Sequence, residues 1–284
     1  MTETSQSQLA ADLRRWGQNF TPAAQQPESV AQMVMLLDMQ DSAPSIQRLR
    51  QWAFERIRPT TGEVAIDVGS GTGTVAGLLA ALTGPTGLVT GVEPNPKLRE
   101  IAEQRAGAAD SNAVFVDGLA GSLPFADGTA DIVWCERVLQ HVADAQAALN
   151  EFARVLRPGG RLALIDSDHA SRVTSDIDHD VEAKVLEAFI RKQANPLAAR
   201  HIPRQVRDAG LTLEPDIGSA ALIMPADIAL GSPLLAMACA AAVADGTITS
   251  EEADEALRRQ RAAVIEGVAF SAVTVFGFVA HKPR

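Results

Sequence analysis

Three glycines at alternate positions, Gly69, Gly71 and Gly73, follow a short apolar run in the stretch AIDVGSGTGTVAG. Glycine adopts positive φ easily and lets the backbone approach a ligand with no Cβ in the way. The loop leads into a predicted helix, whose N-terminus favours polar or anionic ligand groups. This pattern is typical of a nucleotide-binding loop.

Asp67, at the end of the apolar run, bears on which nucleotide the loop binds. A dinucleotide-binding loop reads GxGxxG, whereas here the third glycine comes one residue early. A carboxylate beside a pyrophosphate is repulsive, and beside a cationic ligand it is attractive. The alternative is that Asp67 only caps loop amides, although a lone buried acid is costly without a role.

The elements that must position this loop alternate along the chain from Glu63 onward. Five apolar segments are predicted as strands, separated for the most part by helical segments: VAIDV, LVTGVE, AVFVD, ADIVWCE and RLALID. Two more strands are predicted in residues 211–224 and near the C-terminus. Such alternation predicts an α/β fold, a doubly wound, mostly parallel, seven-stranded Rossmann-like sheet.

Helical patterns on both sides of this core divide the chain into four predicted units. They are an N-terminal helical cap (residues 1–60), the α/β core (61–224), a helical insertion (225–266) and a closing strand (267–284). We expect the cap and the insertion to form a lid. Their apolar residues suit a pocket for an apolar molecule, or else a plain core or a dimer interface: Met33, Met35, Leu36, Leu37, Leu234, Leu235 and Met237.

The composition narrows the partners. With 46% hydrophobic residues and a net charge of −10, the chain lacks the basic surface that nucleic acids require. Its two cysteines are far apart, which favours a reducing compartment such as the cytoplasm. The longest uncharged run, residues 228–244, contains Gly-Ser-Pro and is too short for a membrane span. We therefore expect neither nucleic acid nor membrane as a partner, and a homodimer stays open.

Several motifs together resemble the class I S-adenosylmethionine-dependent methyltransferases of the small-molecule, natural-product type. DVGSGTG resembles the first motif, GVEPNP and VFVDG the ends of the next two strands, and DIVWCERVLQHV with ARVLRPGGRLALID the later motifs. The resemblance covers residues 60–168 densely and the last strands loosely. One glycine loop is weak support, whereas several motifs in the right order are not readily coincidental.

The resemblance implies S-adenosylmethionine as cofactor and S-adenosylhomocysteine as product. It implies that Glu93 binds the ribose hydroxyls and Asp117 the adenine amine, and that Glu136 and Arg137 meet the methionine end. Taken singly, Glu93 would be read as a surface acid before a proline turn and Asp117 as an ordinary loop residue. The predicted cofactor-binding set is Asp67, Gly69, Ser70, Gly71, Gly73, Glu93, Pro94, Asp117, Gly118, Glu136 and Arg137.

His141 and Asp166 are the predicted catalytic pair. His141 follows the fourth strand at the carboxyl edge, where open α/β sheets bind ligands, and an imidazole can take a proton from a hydroxyl acceptor. Asp166 ends the fifth strand on the same edge and could orient the histidine. The alternative is that His141 only packs within the start of its helix.

Two further groups carry alternative interpretations. The stretch DSDHASRVTSDIDHD is rich in metal-ligand types, but its spacing matches no ligand pattern and no metal is predicted: Asp166, Asp168, His169, Asp176, Asp178 and His179. Arg200 and Arg204 could clamp an anionic acceptor, although a solvated helix face is the simpler interpretation.

The sequence therefore predicts an enzyme that transfers methyl to a small hydrophobic molecule, with oxygen favoured over carbon or nitrogen. One alternative is a protein that binds the cofactor without transferring methyl, as a cyclase or a binding module. A second is a nicotinamide-dependent oxidoreductase, which Asp67 and the shortened glycine spacing disfavour.

Overall fold

A computed structural model describes residues 26–224 and 234–284 of the chain. The described helices are α1 (Pro27–Ser42), α2 (Pro44–Ile57), α3 (Thr74–Thr83), α4 (Pro96–Ala108), α5 (Ala145–Val155), α6 (His179–Arg191), α7 (Ala198–Asp208), α8 (Leu234–Ala244) and α9 (Ser250–Glu266). The strands are β1 (Val64–Val68), β2 (Leu88–Val92), β3 (Val114–Val116), β4 (Ala130–Glu136), β5 (Leu156–Thr174), β6 (Thr212–Leu213), β7 (Gly218–Ile223) and β8 (Ser271–His281).

The strands form one sheet in the order β3-β2-β1-β4-β5-β8-β6, with β7 also paired to β8. The first five strands run parallel, and β8 is antiparallel to β5. Both β6 and β7 pair with the edge of β8 that β5 leaves open, one after the other. The predicted sixth strand is therefore one edge strand interrupted near Pro215, and the sheet is seven strand positions wide. The predicted fold class is confirmed.

Local sequence signals start and stop the helices around this sheet. Asp144 caps α5 by accepting a hydrogen bond from the backbone N–H of Ala147, and the helix then buries Leu149 and Phe152 against the sheet. Thr249 and Glu252 form a capping box at the start of α9. Gly84 ends α3 at φ 69°.

Helices cover both faces of the sheet and bury two hydrophobic layers. One layer lies under α5 and α7, and the other lies under α2 and α3, where Trp134 of β4 stacks on Phe54 at 4.5 Å between ring centroids. A third cluster, built from α6, α8 and α9, packs mainly alanine and shares no buried residue with the other two. Among the described residues, no helix combines the length and apolar character needed to cross a bilayer.

Parts of the predicted cap and insertion, residues 1–25 and 225–233, lie outside the described residues. In the part that is described, Met33 and Met237 are buried in the core. Leu36, Leu37 and Leu234 line the cleft described below, whereas Met35 is exposed. The predicted apolar surface thus divides between core and cleft.

Candidate functional site

The main cleft lies at the carboxyl edge of the sheet, over the ends of β1, β2 and β4. Its position follows from topology, because the strand order reverses between β1 and β4 and leaves a crevice there. The cleft has a volume of about 300 Å³ and is lined by the glycine loop, by α1 and by the residues that follow each strand.

The glycine loop adopts a backbone that side chains would not permit. Gly69, Gly71 and Gly73 have φ of 70°, 53° and 86°, all in the left-handed region that favours glycine. A Cβ at position 69 would collide with Val138, and one at position 73 would lie 2.8 Å from Phe115. The loop can therefore pack tightly between β1, β3 and β4 only with glycine at these positions.

Glu93, which follows β2, links the glycine loop to the segment after β2 by hydrogen bonds. Its side chain is buried and accepts hydrogen bonds from the backbone N–H groups of Gly71, at 3.0 Å, and Asn95, at 2.9 Å. Burial raises the pKa of Glu93 despite these two bonds. The carboxyl also lines the cleft, so a ligand there can meet it.

Asp67 is a buried acid with an unsatisfied oxygen. Its Oδ2 makes no hydrogen bond in the described structure, and the residue is only 2% exposed. Burial, together with the negative charge of Glu136, raises the pKa of Asp67 to about 8. A cation bound in the cleft would oppose both effects and favour the charged form.

Glu136 and Arg137, which follow β4, belong to a buried ion network with the N-terminal helices. Arg50 of α2 donates to both carboxylate oxygens of Glu136 at 2.8 Å and also pairs with Asp41 of α1. Arg137 donates to Asp41 at 3.0 Å and to Gln40 at 2.6 Å. The network fixes α1 and α2 over the cleft, and the charges of its partners keep the pKa of Asp41 low although burial opposes this.

His141 ends a short 3-10 turn that follows β4 and lines the cleft. Its Nε2 lies 3.1 Å from Nε2 of Gln140, which donates to the carbonyl of Arg137. Burial and the charge of Arg137 lower the pKa of His141 to about 4, which leaves the ring neutral at neutral pH.

Asp166 supports the turn that carries His141. Its carboxylate accepts hydrogen bonds at 2.8 Å from the backbone N–H groups of Leu139 and Ser167. Burial raises its pKa to about 7 against these bonds. The side chain is almost fully buried and is not among the residues that line the cleft. Asp166 can therefore influence His141 only through its hydrogen bond to the backbone of the turn.

The structure brings ten of the predicted residues to the lining of one cleft and leaves three outside that lining. The ten are Asp67, Gly69, Ser70, Gly71, Glu93, Pro94, Gly118, Glu136, Arg137 and His141. Gly73 packs on Phe115 behind the loop, and Asp166 lies under the turn. The Asp117 side chain is 76% exposed and pairs with Arg99 at 2.8 Å, although its neighbour Gly118 lines the cleft.

The metal-type residues of β5 and of the segment that follows it are placed separately rather than around one point. Asp168 accepts from Arg200 at 2.6 Å, and Asp178 caps α6. His169 alone of the set lines the cleft. Within residues 26–224 and 234–284, no group of three or more His, Cys, Asp or Glu residues is arranged to hold a metal ion.

Several cleft residues are not marked as cleft residues by any sequence pattern. Asp41 and Arg50 lie in helices that show no motif, so nothing local marked them as partners of Glu136. His169 was noticed only as a metal-type residue, whereas Arg172 and Gln193 carried no signal. All five reach the cleft or its ion network because of packing between distant segments.

Comparison with known proteins agrees with this site. Residues 66–164 match a family model described as a methyltransferase domain. Methyltransferase GfsG of Streptomyces halstedii is 34% identical over 172 residues, which cover 59% of each chain. The 27-O-demethylrifamycin SV methyltransferase of Amycolatopsis mediterranei is 40% identical over 107 residues, which cover 37% of this chain and 39% of that one.

Solved structures share the fold at lower sequence identity. The YcgJ protein of Bacillus subtilis superposes with a TM-score of 0.58 at 18% identity, covering 84% of this chain and 99% of that one. The chain spans 54% and 59% of the length of two curated relatives that it matches. The matched segment contains the end of β1, the glycine loop, Glu93 and His141. Over residues 66–164, this chain is therefore similar to a methyltransferase domain, and its sheet has the fold of the solved structure named above.

Proposed function

We propose that the chain binds S-adenosylmethionine in the cleft and transfers its methyl group to a small apolar molecule, with an oxygen as the favoured acceptor atom. The observation that carries the proposal is the joint placement of the glycine loop, Glu93 and the unsatisfied Asp67 around one cleft. A nicotinamide dinucleotide fits less well, because its pyrophosphate would meet the Asp67 carboxyl.

The cofactor fits the residues that are present. Asp67 Oδ2 and Ser70 Oγ are buried at the cleft without hydrogen-bond partners, and buried polar atoms are rarely left so in a complete site. S-adenosylmethionine carries an ammonium and a sulfonium group, and either positive charge would favour ionised Asp67. The glycine loop leaves room for close approach of the ligand to the backbone.

The matched motifs suggest which part of the cofactor each residue would contact. Glu93 would accept hydrogen bonds from the ribose hydroxyls, as an acid at the end of the second strand does in nucleotide-binding sheets. Gly118, and Asp117 if its exposed side chain turns inward, would meet the adenine. Glu136 and Arg137 would lie near the methionine end. When bound, S-adenosylmethionine supplies a methyl group already activated by the positive sulfur.

The chain itself then has to position the acceptor and exclude water. Leu37 of α1 lies close over Gly71, at 3.3 Å from where a Cβ would be, so the first described helix roofs the loop. The described parts of the predicted cap and insertion both contribute lining residues, which supports their role as a lid. Correct alignment of two reactants can lower a barrier by about 7 to 11 kcal/mol.

His141 is the proposed base and Asp166 a positioning residue. The neutral ring at the cleft can accept a proton, and Asp166 holds the amide of Leu139 and so fixes the turn. A pKa near 4 makes His141 a weak base. It is therefore suited to an acceptor oxygen that is itself acidic rather than to an alcohol.

The acceptor class is inferred from the lining and from the relatives. Apolar side chains dominate the acceptor part of the cleft, among them Val142, Phe189, Leu222 and Val273. One relative is named for methylation of a 27-O-demethyl compound, which supports oxygen as the acceptor atom. The net charge of −10 makes a nucleic-acid acceptor unsuitable. The acceptor would thus be a small molecule with a large apolar part.

The first experiment is a calorimetric titration of ligand-stripped protein with S-adenosylmethionine, S-adenosylhomocysteine and NADH. We expect micromolar binding of the first two and none of the third. Binding of NADH alone would overturn the proposal. A screen with methyl-labelled cofactor then separates an enzyme from a protein that binds without transfer, because only the enzyme produces S-adenosylhomocysteine.

The role of His141 is tested with the acceptor that this screen identifies. His141→Ala should lower turnover about 100-fold while S-adenosylhomocysteine affinity stays near that of the wild type. Undiminished turnover would leave His141 with a packing role only.

A further inference from the structure

Beyond the cofactor loop, the cleft contains a second group of polar side chains with unsatisfied buried atoms. These atoms are Nε of Arg172, Nε2 of Gln193 and Nδ1 of His169. All three side chains line the cleft. We call these three side chains the polar cluster. Buried polar groups normally have partners, so these three atoms are available to hydrogen-bond a polar group of a ligand in the cleft.

Arg172 of β5 is the most unusual member. Among the described residues, no acid forms an ion pair with its guanidinium, which lies over the ring of Phe189 with 5.4 Å between Cζ and the ring centroid. Burial lowers the pKa of Arg172. A half-buried cation without an anionic partner is costly, and such costs persist mainly where binding recovers them.

Phe189 contacts two members of the polar cluster. The ring of His169 meets the same phenyl ring edge-on at 5.6 Å between centroids. The charge of Arg172 also contributes to the lowered pKa of His169, after burial, so the two side chains are near neighbours. Gln193, which follows the end of α6, lines the same cleft. The guanidinium and the amide are therefore both N–H donors at the cleft lining.

A second, smaller cavity of about 80 Å³ adjoins the polar cluster. Arg172, Phe189, Met224, Leu234 and Ser271 line both the cleft and this cavity. Most of its remaining lining is aliphatic and comes from the helices of the third hydrophobic cluster. Glu182 also lines the cavity, but its carboxylate accepts a hydrogen bond from the backbone N–H of Thr174. Arg172 thus lies at the junction of two largely apolar spaces.

We propose that Arg172, in the cleft that Gln193 also lines, binds a carboxylate of the acceptor, whose apolar chain lies along the aliphatic walls on either side. The proposal rests on the proposed function, because it names the acceptor class of the same cleft. A guanidinium offers parallel N–H donors that match the two oxygens of a carboxylate. An amine would be repelled, and an alcohol would leave the positive charge unbalanced.

The test compares three amphiphiles with the same chain length: decanoate, 1-decanol and decylamine. Each is titrated calorimetrically into the full-length protein saturated with S-adenosylhomocysteine. We expect decanoate to bind about tenfold more tightly than either of the others, since the carboxylate adds a charge-assisted hydrogen-bonded pair. Equal affinities for decanoate and 1-decanol would overturn the proposal.

Variants assign the difference to the residue. Arg172→Gln should lose about tenfold in decanoate affinity and keep its 1-decanol affinity. Arg204→Gln removes the same charge from an exposed position outside the cleft lining and should change neither. A loss of decanoate binding that is equal in the two variants would mean general charge attraction and would overturn the proposal.

Folding and cofactor binding are checked on the same samples. Arg172→Met should unfold at a higher temperature than the wild type, because it removes a half-buried cation without an anionic partner, yet it should not bind decanoate preferentially. Retained preference for decanoate in Arg172→Met would also overturn the assignment. Failure of S-adenosylhomocysteine to bind would contradict the proposed function, whereas its binding without carboxylate selectivity contradicts only this inference.

Discussion

Asp67 illustrates how one buried acid links stability to ligand charge. Its pKa near 8 lies far above the ordinary value of 3.8, because burial and Glu136 disfavour the ionised form. A folded-state pKa above the unfolded one gives stability that is complete below the unfolded pKa and lost as pH rises through the folded pKa. Asp67 therefore favours the folded state below about pH 4, and this contribution is lost as pH rises to about 8.

Replacing Asp67 makes this dependence measurable. We expect Asp67→Asn to lose less stability than the wild type between about pH 5 and pH 9, since it has no proton to give up. The midpoint of thermal unfolding, followed across that range, reports the difference. Asp110→Asn, at an exposed position, should keep the wild-type slope. Parallel profiles for wild type and Asp67→Asn would contradict the assigned pKa.

Glu93 and Asp117 are both predicted to bind the cofactor, but their surroundings differ. Glu93 is buried and holds two loop amides, whereas the Asp117 side chain is 76% exposed. A buried hydrogen bond to a charged group is worth about 1.5 to 3 kcal/mol, and an exposed one much less. We therefore expect Glu93→Gln to weaken S-adenosylhomocysteine binding about tenfold or more.

The comparison variant is Asp117→Asn, for which we expect a loss of about fivefold or less. Calorimetric titration of both proteins with S-adenosylhomocysteine gives the two affinities. A larger loss in Asp117→Asn than in Glu93→Gln would show that Asp117 turns into the cleft when ligand binds. In that case the relative weight of the two acids would have to be reversed.

At the scale of elements, the loop between β1 and α3 depends on glycine for backbone reasons, whereas the helix after it does not. Gly69 has φ of 70° and its Cβ would collide with Val138, but Gly77 is helical with nothing within 4 Å of where a Cβ would be. We expect Gly69→Ala to destabilise the protein and weaken S-adenosylhomocysteine binding. Gly77→Ala should stabilise it by about 0.5 to 1 kcal/mol.

Urea unfolding with and without S-adenosylhomocysteine measures both effects in these two glycine variants. The pair is matched, because each change adds one methyl group eight residues apart in the chain. If Gly69→Ala is as stable as Gly77→Ala, the loop does not need its left-handed backbone. The close packing described between β1 and β4 would then be wrong.

The N-terminal helices depend on charge pairing as well as on apolar packing. Arg50 joins Glu136 from 86 residues away and also meets Asp41 of the preceding helix. The apolar spacing of Ile46, Leu49 and Ala53 predicts α2 and its buried face. Spacing alone says nothing about the partner of Arg50, which lies on the fourth strand.

At the scale of the whole molecule, the sheet and the helical cluster of α6, α8 and α9 are built on separate cores. The cluster shares no buried residue with the two layers against the sheet, and many of its buried residues are alanines. Small side chains bury less apolar area, and burial is what stabilises such a unit. We expect α8 and α9 to open at lower free energy than β1 and β4.

Native-state hydrogen exchange followed by mass spectrometry tests this expectation. Amides of α8 and α9 should exchange faster than those of β1 and β4 under conditions where the fold is stable. Added S-adenosylhomocysteine should slow exchange in the glycine loop. Equal protection of the helices and the central strands would mean that the two cores unfold as one unit.

The sequence by itself determined the parts of this protein that depend on local pattern. Alternation of strands and helices, the glycine loop, the Asp144 cap and the capping box at Thr249 each rest on residues within a few positions of one another. Because the carboxyl ends of parallel strands meet at one edge, the same pattern also brought Glu93, Glu136 and His141 to a common cleft.

Only the tertiary structure decided which side chains face one another across that cleft. The direction of Asp117, the pairing of Arg50 with Glu136, and the position of Arg172 beside Phe189 depend on contacts between segments far apart in the chain. Side-chain burial and charge pairing are set by packing in three dimensions, and local spacing carries no record of them. The cofactor end of the site was therefore readable in the sequence, whereas the acceptor end was not.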